Sequence, residues 1–192
     1  MGVTSAEPRL LVLGDSLSAA YGIPADQGWV RLLQRRLSDA GYPHRVINAS
    51  ISGDTTRGGL SRLPAALQKH EPQVVILELG GNDGLRGFGP ALTQEHLRKM
   101  IDLARAAGAR VLLLGVRLPA NYGSAYADKF HQVYLDLAQQ EQVALVPFFL
   151  EGVAETRAMM QADGIHPTAE AQPRILENVW PALVPLLGDR PG

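Results

Sequence analysis

Residues 74–81 read VVILELGG, and this stretch decides the fold. Five of its first six positions hold large apolar side chains without polar alternation, which is typical of a strand buried on both faces of a sheet. The two glycines then end the run. Such a strand needs helices above and below it, so the stretch predicts an α/β protein.

Strand and helix patterns alternate on both sides of that stretch. Compact apolar runs predict four more strands, at residues 9–13, 45–49, 110–116 and 143–146. Helices are predicted at residues 28–40, 56–70, 93–107, 125–140 and 169–187. Strands separated by helices of this length imply βαβ units, so we expect a parallel sheet of about five strands covered on both faces.

Length and composition narrow the function classes. The 192 residues suit one domain and contain no internal repeat or linker, so we predict a single domain over residues 1–192.

The net charge of -1 gives no preference for nucleic acid or an anionic membrane. No apolar run is long enough to span a bilayer. The absence of cysteine excludes thiol nucleophiles, thiolate metal sites and disulfides. With so small a charge and no obvious apolar stripe, we expect a monomer.

Four of the five histidines lie in predicted helices or at strand starts without a partnered acid. We interpret them as surface residues in helices or at strand starts: His44, His70, His96 and His131. No pair of them has the spacing of a metal site, so we predict no metal and no cofactor.

Polar residues follow the predicted strands at the points where ligand sites of open parallel sheets lie. Ser16 follows the first strand, Gly53 the second and Asn82 the third, while Asp163 and His166 precede the last helix. A serine needs a base to become a nucleophile, and histidine titrates near neutrality. A carboxylate orients the imidazole, and backbone N–H groups with an amide can hold an oxyanion. These loops therefore contain the groups that acyl transfer requires.

The same residues carry a family resemblance. The blocks are Gly-Asp-Ser-Leu at 14–17, Asn-Ala-Ser-Ile-Ser-Gly-Asp-Thr at 48–55, Gly-Asn-Asp at 81–83 and Asp-Gly-Ile-His-Pro at 163–167. They resemble the conserved blocks of the SGNH, or GDSL, hydrolases. Within that family they are similar to the bacterial thioesterase, protease and lysophospholipase group and to related arylesterases. The resemblance covers roughly residues 9–187 and implies a three-layer α/β/α sandwich of flavodoxin-like type.

The resemblance also implies a role for each block. Ser16 would be the nucleophile, His166 the general base and Asp163 its orienting carboxylate. The backbone N–H groups of Ser16 and Gly53 and the side-chain amide of Asn82 would form the oxyanion hole. The implied activity is hydrolysis of acyl esters and thioesters, among them aryl esters, acyl-CoA-type thioesters and lysophospholipids.

Two loop segments complete what the resemblance implies. Residues 85–88 and 118–122 would be mobile walls of an acyl pocket, with these substrate-binding side chains: Leu85, Phe88, Pro119, Asn121 and Tyr122. Read without the family they are ordinary surface loops. Relatives are usually exported, which favours a periplasmic or secreted enzyme whose leader is absent here. Residues 1–8 lack the apolar core of a signal peptide, so a cytoplasmic enzyme is the alternative.

Three acids near these loops have no assigned chemistry. We expect Asp54 and Asp83 to brace the loops. Glu78 is unusual inside an apolar strand. It is either a strand-end residue with a polar partner, which we favour, or a residue that supports the site from behind.

Two other protein classes compete with this interpretation. An α/β-hydrolase would carry Gly-x-Ser-x-Gly after a later strand, whereas residues 14–18 read GDSLS after the first. A non-catalytic binding or signalling module is compatible with the fold, because such sheets support many functions. A phosphate-binding module would carry more glycine in the first loop, and a phosphoacceptor module would carry clustered acids and a lysine.

Overall fold

The computed structural model describes residues 7–188. The absence of a signal peptide was predicted for residues 1–8, most of which lie outside this range. Within residues 7–188, no helix is both long enough and apolar enough to cross a membrane.

Five parallel strands form the single sheet of the described residues, in the order β2-β1-β3-β4-β5. This is the strand order of flavodoxin-like folds, so the predicted fold class is confirmed. The strands are β1 (Arg9–Gly14), β2 (Arg45–Asn48), β3 (Val74–Glu78), β4 (Arg110–Leu114) and β5 (Ala144–Val146).

Helices cover both faces of the sheet. They are α1 (Trp29–Asp39), α2 (Thr56–His70), α3 (Gly81–Leu85), α4 (Pro90–Ala106), α5 (Ser124–Glu141) and α6 (Gln172–Leu183). Helix α1 packs against α6, while α2 packs against α4 and α4 against α5, which gives two helical layers. Every residue of β3 is buried, as the apolar run predicted. Burial of these strands supplies most of the stabilisation, because apolar area removed from water contributes about 25 cal/mol per Å².

The largest differences from the predicted elements concern three helices. Helix α4 begins at Pro90 rather than at residue 93, because proline suits the first turn of a helix. Helix α6 begins at Gln172 rather than at residue 169 and ends at Leu183, where a 3₁₀ turn over Val184–Leu186 replaces the last α-turn. Helix α3 occupies a segment that was predicted to be a loop.

The prediction that His44 is a surface residue is wrong. Its side chain is buried, and neither ring nitrogen has a hydrogen-bond partner within the described residues. Burial lowers its pKa, because the imidazolium form loses its hydration. The ring of Tyr42 lies against both His44 and Trp180 of α6, at 6.2 Å between centroids in each case. This corner is therefore closed by packing between elements that are far apart in sequence.

Candidate active site

The nucleophile loop begins where β1 ends, and its shape depends on Gly14. A Cβ atom at Gly14 would lie 2.8 Å from Glu78 Oε2 and 2.9 Å from Ser18 Oγ, so no larger residue fits there. Asp15 then turns the chain: its Oδ1 accepts a hydrogen bond from the N–H of Leu17 at 3.0 Å. This turn presents the Ser16 side chain at the carboxyl edge of the sheet.

Three side chains from distant parts of the chain meet above this edge. His166 Nε2 lies 2.9 Å from Ser16 Oγ, across 150 residues of sequence. His166 Nδ1 lies 2.6 Å from Asp163 Oδ2. The two distances place the imidazole between a hydroxyl and a carboxylate, in hydrogen-bond contact with both.

A short antiparallel bridge holds the acid and the histidine. Met160 pairs with Pro167, and the N–H of Gln161 donates to the carbonyl of His166 at 2.8 Å. The tip of this loop requires glycine, because Gly164 has a φ of 69°.

The carboxylate of Asp163 also anchors its own loop. Asp163 Oδ1 accepts hydrogen bonds from the N–H groups of Ile165 at 2.9 Å and His166 at 3.0 Å. The hydrogen bonds from the backbone and the side chain of His166 lower the pKa of Asp163 to about 2. The carboxylate is therefore ionised at any working pH.

Possible oxyanion donors converge on the same edge. No residue of the described chain accepts a hydrogen bond from the backbone N–H of Ser16 or Gly53. Gly53 has a φ of 79° in a turn closed by the N–H of Asp54 on the carbonyl of Ile51, at 3.1 Å. The Asn82 amide Nδ2 donates to Asp15 Oδ2 at 3.0 Å and to the carbonyl oxygen of Asp54 at 2.8 Å.

Asp54 and Asp83 brace these loops, as predicted. Asp54 Oδ2 accepts a hydrogen bond from Arg62 Nε at 2.7 Å. Asp83 accepts hydrogen bonds from Thr56, at 2.9 Å from its backbone N–H and at 2.5 Å from its hydroxyl. The start of α2 is thereby tied to α3, which carries Asn82.

A cavity of about 550 Å³ opens beside Ser16, Asn82 and His166. Much of its wall is apolar: Val116, Leu118, Phe148, Leu150, Met160 and Ile165. Arg117 also lines it, with its guanidinium carbon 5.1 Å from the centre of the Phe148 ring. An apolar chain therefore fits next to the serine hydroxyl.

The five predicted pocket residues divide into two groups. Leu85 and Pro119 line the cavity. Phe88, Asn121 and Tyr122 are exposed and are not among the described residues of its wall. The rest of the wall comes from the serine and histidine loops, from α3 and from the segments that follow β4 and β5, of which Val116, Phe148 and Leu150 were not assigned to the pocket from the sequence.

Among the residues that the structure describes, no three histidine, aspartate or glutamate side chains converge in a way that would hold a metal ion.

The sequence pattern of the GDSL-like lipase/acylhydrolase family matches residues 12–173. The chain belongs to this family. The prediction that the protein is an ester hydrolase is thereby confirmed.

Relatives of this hydrolase resemble it along almost the whole chain. Esterase TesA of Pseudomonas aeruginosa is 62% identical over 183 residues, which are 95% of this chain and 91% of that protein. Thioesterase 1/protease 1/lysophospholipase L1 of Escherichia coli is 48% identical over 95% of this chain and 86% of its own length. A crystal structure of the psychrotrophic esterase EstA from Pseudoalteromonas sp., inhibited by monoethylphosphonate, superposes with a TM-score of 0.88. It covers 94% of this chain and 99% of that one, at 38% identity.

Two residues at the site of this GDSL-like hydrolase were not predicted from the sequence. The ring of Tyr21 lies 4.4 Å from the ring of His166, centroid to centroid. Gln161 Nε2 donates to the carbonyl oxygens of Tyr21 at 2.8 Å and Pro167 at 2.9 Å, which joins the serine loop to the histidine loop. No local pattern marks either residue, because both contacts cross about 140 positions of sequence.

Proposed function

We propose that this protein is a serine esterase and thioesterase that acts through a Ser16–His166–Asp163 triad and an acyl-enzyme intermediate. The observation that carries the proposal is the unbroken contact from Asp163 through His166 to Ser16 at the mouth of an apolar cavity. The ionised Asp163 accepts a hydrogen bond from the Nδ1–H of His166, which leaves Nε2 free to accept a hydrogen bond from the serine hydroxyl.

The first half-reaction forms the acyl-enzyme. Ser16 Oγ attacks the carbonyl carbon, and its proton passes to His166 Nε2. The carbonyl oxygen becomes an oxyanion, which accepts hydrogen bonds from the N–H groups of Ser16 and Gly53 and from the Asn82 amide. Collapse of this intermediate breaks the ester or thioester bond, and His166 returns the proton to the departing alcohol or thiol.

The second half-reaction regenerates the enzyme. Water attacks the acyl carbon while His166 takes its proton, and the same three donors hold the new oxyanion. Collapse of this second intermediate breaks the bond between the acyl carbon and Ser16 Oγ, and His166 returns the proton to Ser16 Oγ, so the products are a carboxylic acid and the free Ser16 hydroxyl. Inhibition of the related EstA by a phosphonate supports a serine nucleophile, because phosphonates occupy the position of the tetrahedral intermediate.

The cavity supports acyl groups of some length as substrates. The cavity of about 550 Å³ has largely apolar walls and accommodates the acyl groups of aliphatic or aromatic esters. The names of the relatives, esterase, arylesterase and thioesterase 1/protease 1/lysophospholipase L1, support aryl esters, thioesters and lysophospholipids as substrate classes, and we propose acyl-CoA-type compounds as the thioesters. A periplasmic or secreted location and a monomeric state stay predictions.

Hydrolysis of p-nitrophenyl esters from acetate to palmitate tests this function. Wild type should turn over these esters and should be labelled at Ser16 by a fluorophosphonate probe. Ser16→Ala should lose activity by about 10⁶-fold and should not be labelled. Ser38→Ala is the matched control, because Ser38 lies in α1 and its hydroxyl bonds only the carbonyl of Gln34.

Two results would overturn the proposal. Wild-type protein that neither hydrolyses these esters nor reacts with the probe has no working triad, and a binding module would then be the better interpretation. A Ser16→Ala protein with wild-type turnover would place the nucleophile elsewhere.

A further inference from the structure

Glu78 is a carboxyl group inside the core, directly behind the nucleophile loop. It ends β3 opposite Gly14 of β1, and its exposed fraction is 0%. Glu78 Oε2 accepts hydrogen bonds from Ser18 Oγ at 2.7 Å and from the N–H of Asp15 at 3.3 Å. Its Oε1 atom is buried and has no hydrogen-bond partner among residues 7–188.

No positive charge compensates this carboxyl group. Within the described residues no cation forms an ion pair with Glu78, and the nearby Arg62 is paired with Asp54. The other ionisable groups that interact with it are Asp15 and Tyr134, the hydroxyl of which donates to the carbonyl of Leu79. Burial first and the negative charge of Asp15 second raise the pKa of Glu78 well above its usual value. The group therefore carries its proton.

Asp15 stands between this acid and the oxyanion hole. It accepts hydrogen bonds from the N–H of Leu17 and from Asn82 Nδ2, each at 3.0 Å. Its backbone N–H donates to Glu78 Oε2 at 3.3 Å, so the two acids are direct neighbours. Two adjacent carboxyl groups do not both ionise readily, so the fully buried Glu78 keeps its proton while Asp15 is ionised.

We propose that Glu78 is a positioning residue that acts as a neutral acid: it accepts a hydrogen bond from the N–H of Asp15 without adding a second negative charge, so that Asp15 stays a carboxylate and holds the Asn82 amide in the oxyanion hole. The inference rests on the proposed function, because that function places the Asn82 amide among the donors to the oxyanion. Glu78 keeps its proton, and no bond is made or broken at Glu78 during turnover.

This arrangement explains how Asn82 can serve an oxyanion although both of its amide protons have acceptors. One proton is held by the charged carboxylate of Asp15, and the other by the neutral carbonyl of Asp54. Charged acceptors make the stronger hydrogen bonds. The oxyanion therefore competes with the Asp54 carbonyl, while Asp15 keeps the amide in place.

Paired substitutions at Glu78 test the proposal. Glu78→Gln keeps one donor and one acceptor in the same shape, so kcat should stay within about threefold of wild type. Glu78→Leu removes the acceptor for the N–H of Asp15 and the hydroxyl of Ser18, and kcat should fall by roughly 10- to 100-fold at unchanged KM, because Asp15 and the amide that it holds lose their alignment. Thr93→Val is the control for removing a buried polar atom, since the Thr93 hydroxyl is buried without a partner in the described chain.

The outcomes separate this role from a purely structural one. A Glu78→Gln loss as large as that of Glu78→Leu would mean that an ionised glutamate is required, and the proposal would be wrong. A Glu78→Leu enzyme with wild-type kcat would overturn it as well. If Glu78→Leu does not fold, Glu78→Gln decides alone: kcat within about threefold supports the proposal, and a larger loss overturns it.

A double-mutant cycle shows whether Glu78 acts through Asn82. In the Asn82→Ala background, Glu78→Leu should lower kcat by less than about threefold, because two residues of one network are not additive. Equal fold losses in both backgrounds would contradict the proposal. Fluorophosphonate labelling of Ser16 in wild type tests the triad independently, so its failure would be distinguishable from a failure at Glu78.

Discussion

Two aspartates near Ser16 have opposite electrostatic behaviour. Asp163 lies in the histidine loop with 40% of its side chain exposed, and hydrogen bonds from His166 lower its pKa to about 2. Asp15 lies under the serine loop with 2% exposed, and burial raises its pKa to about 6 although backbone and side-chain donors oppose the shift. The two aspartates thus differ in pKa because of their surroundings alone.

The comparison shows whether hydrogen-bond donors or the loss of hydration sets the pKa of a carboxyl group near the surface and in the core. Near solvent, an ionised carboxylate keeps part of its hydration, so two or three donors are enough to stabilise it further. In the core, the loss of hydration outweighs a similar number of donors, and a second carboxyl such as Glu78 must then stay neutral. We infer that the exposed Asp163 supports proton transfer by His166. The buried Asp15 and Glu78 instead maintain the geometry of the oxyanion hole.

After Ser16→Ala, the largest expected effect comes from the exposed region. Asp163→Asn should lower kcat by about 10⁴-fold, because the amide presents a donor to His166 Nδ1 and favours the wrong imidazole tautomer. Its Oδ1 atom can still accept from the N–H groups of Ile165 and His166, so the loop should keep its shape. Steady-state kinetics with p-nitrophenyl butyrate measures the loss. A variant within tenfold of wild type would show that Asp163 is not the orienting carboxylate.

A smaller effect is expected where the buried region meets the chemistry. Asn82→Ala should lower kcat by about 10²–10³-fold, the usual cost of removing one oxyanion donor. KM should change little, since the interaction strengthens only in the transition state. The variant should still react with a fluorophosphonate probe, although more slowly. Full turnover of Asn82→Ala would remove this residue from the oxyanion hole.

The smallest expected effect is on stability and concerns Glu78. Its pKa is raised in the folded protein, so its contribution is fully present below the unfolded pKa of about 4.3 and is lost as pH rises toward the folded value. Wild type should therefore lose up to about 1.4 kcal/mol of unfolding free energy per pH unit above that point relative to Glu78→Gln. Urea unfolding of both proteins at pH 5 and pH 8 measures the difference. Parallel changes in the two proteins would show that Glu78 is ionised in the fold.

Asp163 should bias stability in the opposite direction. Its pKa is lowered in the folded state, so its contribution is present above the unfolded pKa and is lost as pH falls through about 2. Because its side chain is 40% exposed, solvent screens this contribution. The two acids thus act on stability at opposite ends of the pH range.

Much of this molecule follows from local sequence. The apolar run at residues 74–79 and its four counterparts specify strands buried on both faces, and alternation with helices specifies a parallel sheet. Gly164 and Asp163 form their tight turn through neighbours in the chain. The family pattern also depends on short blocks, each of which can be read without the rest of the protein.

Tertiary structure alone decided the contacts that give those blocks their chemistry. The 2.9 Å between His166 and Ser16 joins loops 150 residues apart, and the Gln161 amide links those loops again. Packing between distant elements likewise placed His44 in the core and the neutral Glu78 next to Asp15. The physical reason is that strand and turn preferences act over a few residues, whereas hydration and charge depend on every group that folding brings within a few ångströms.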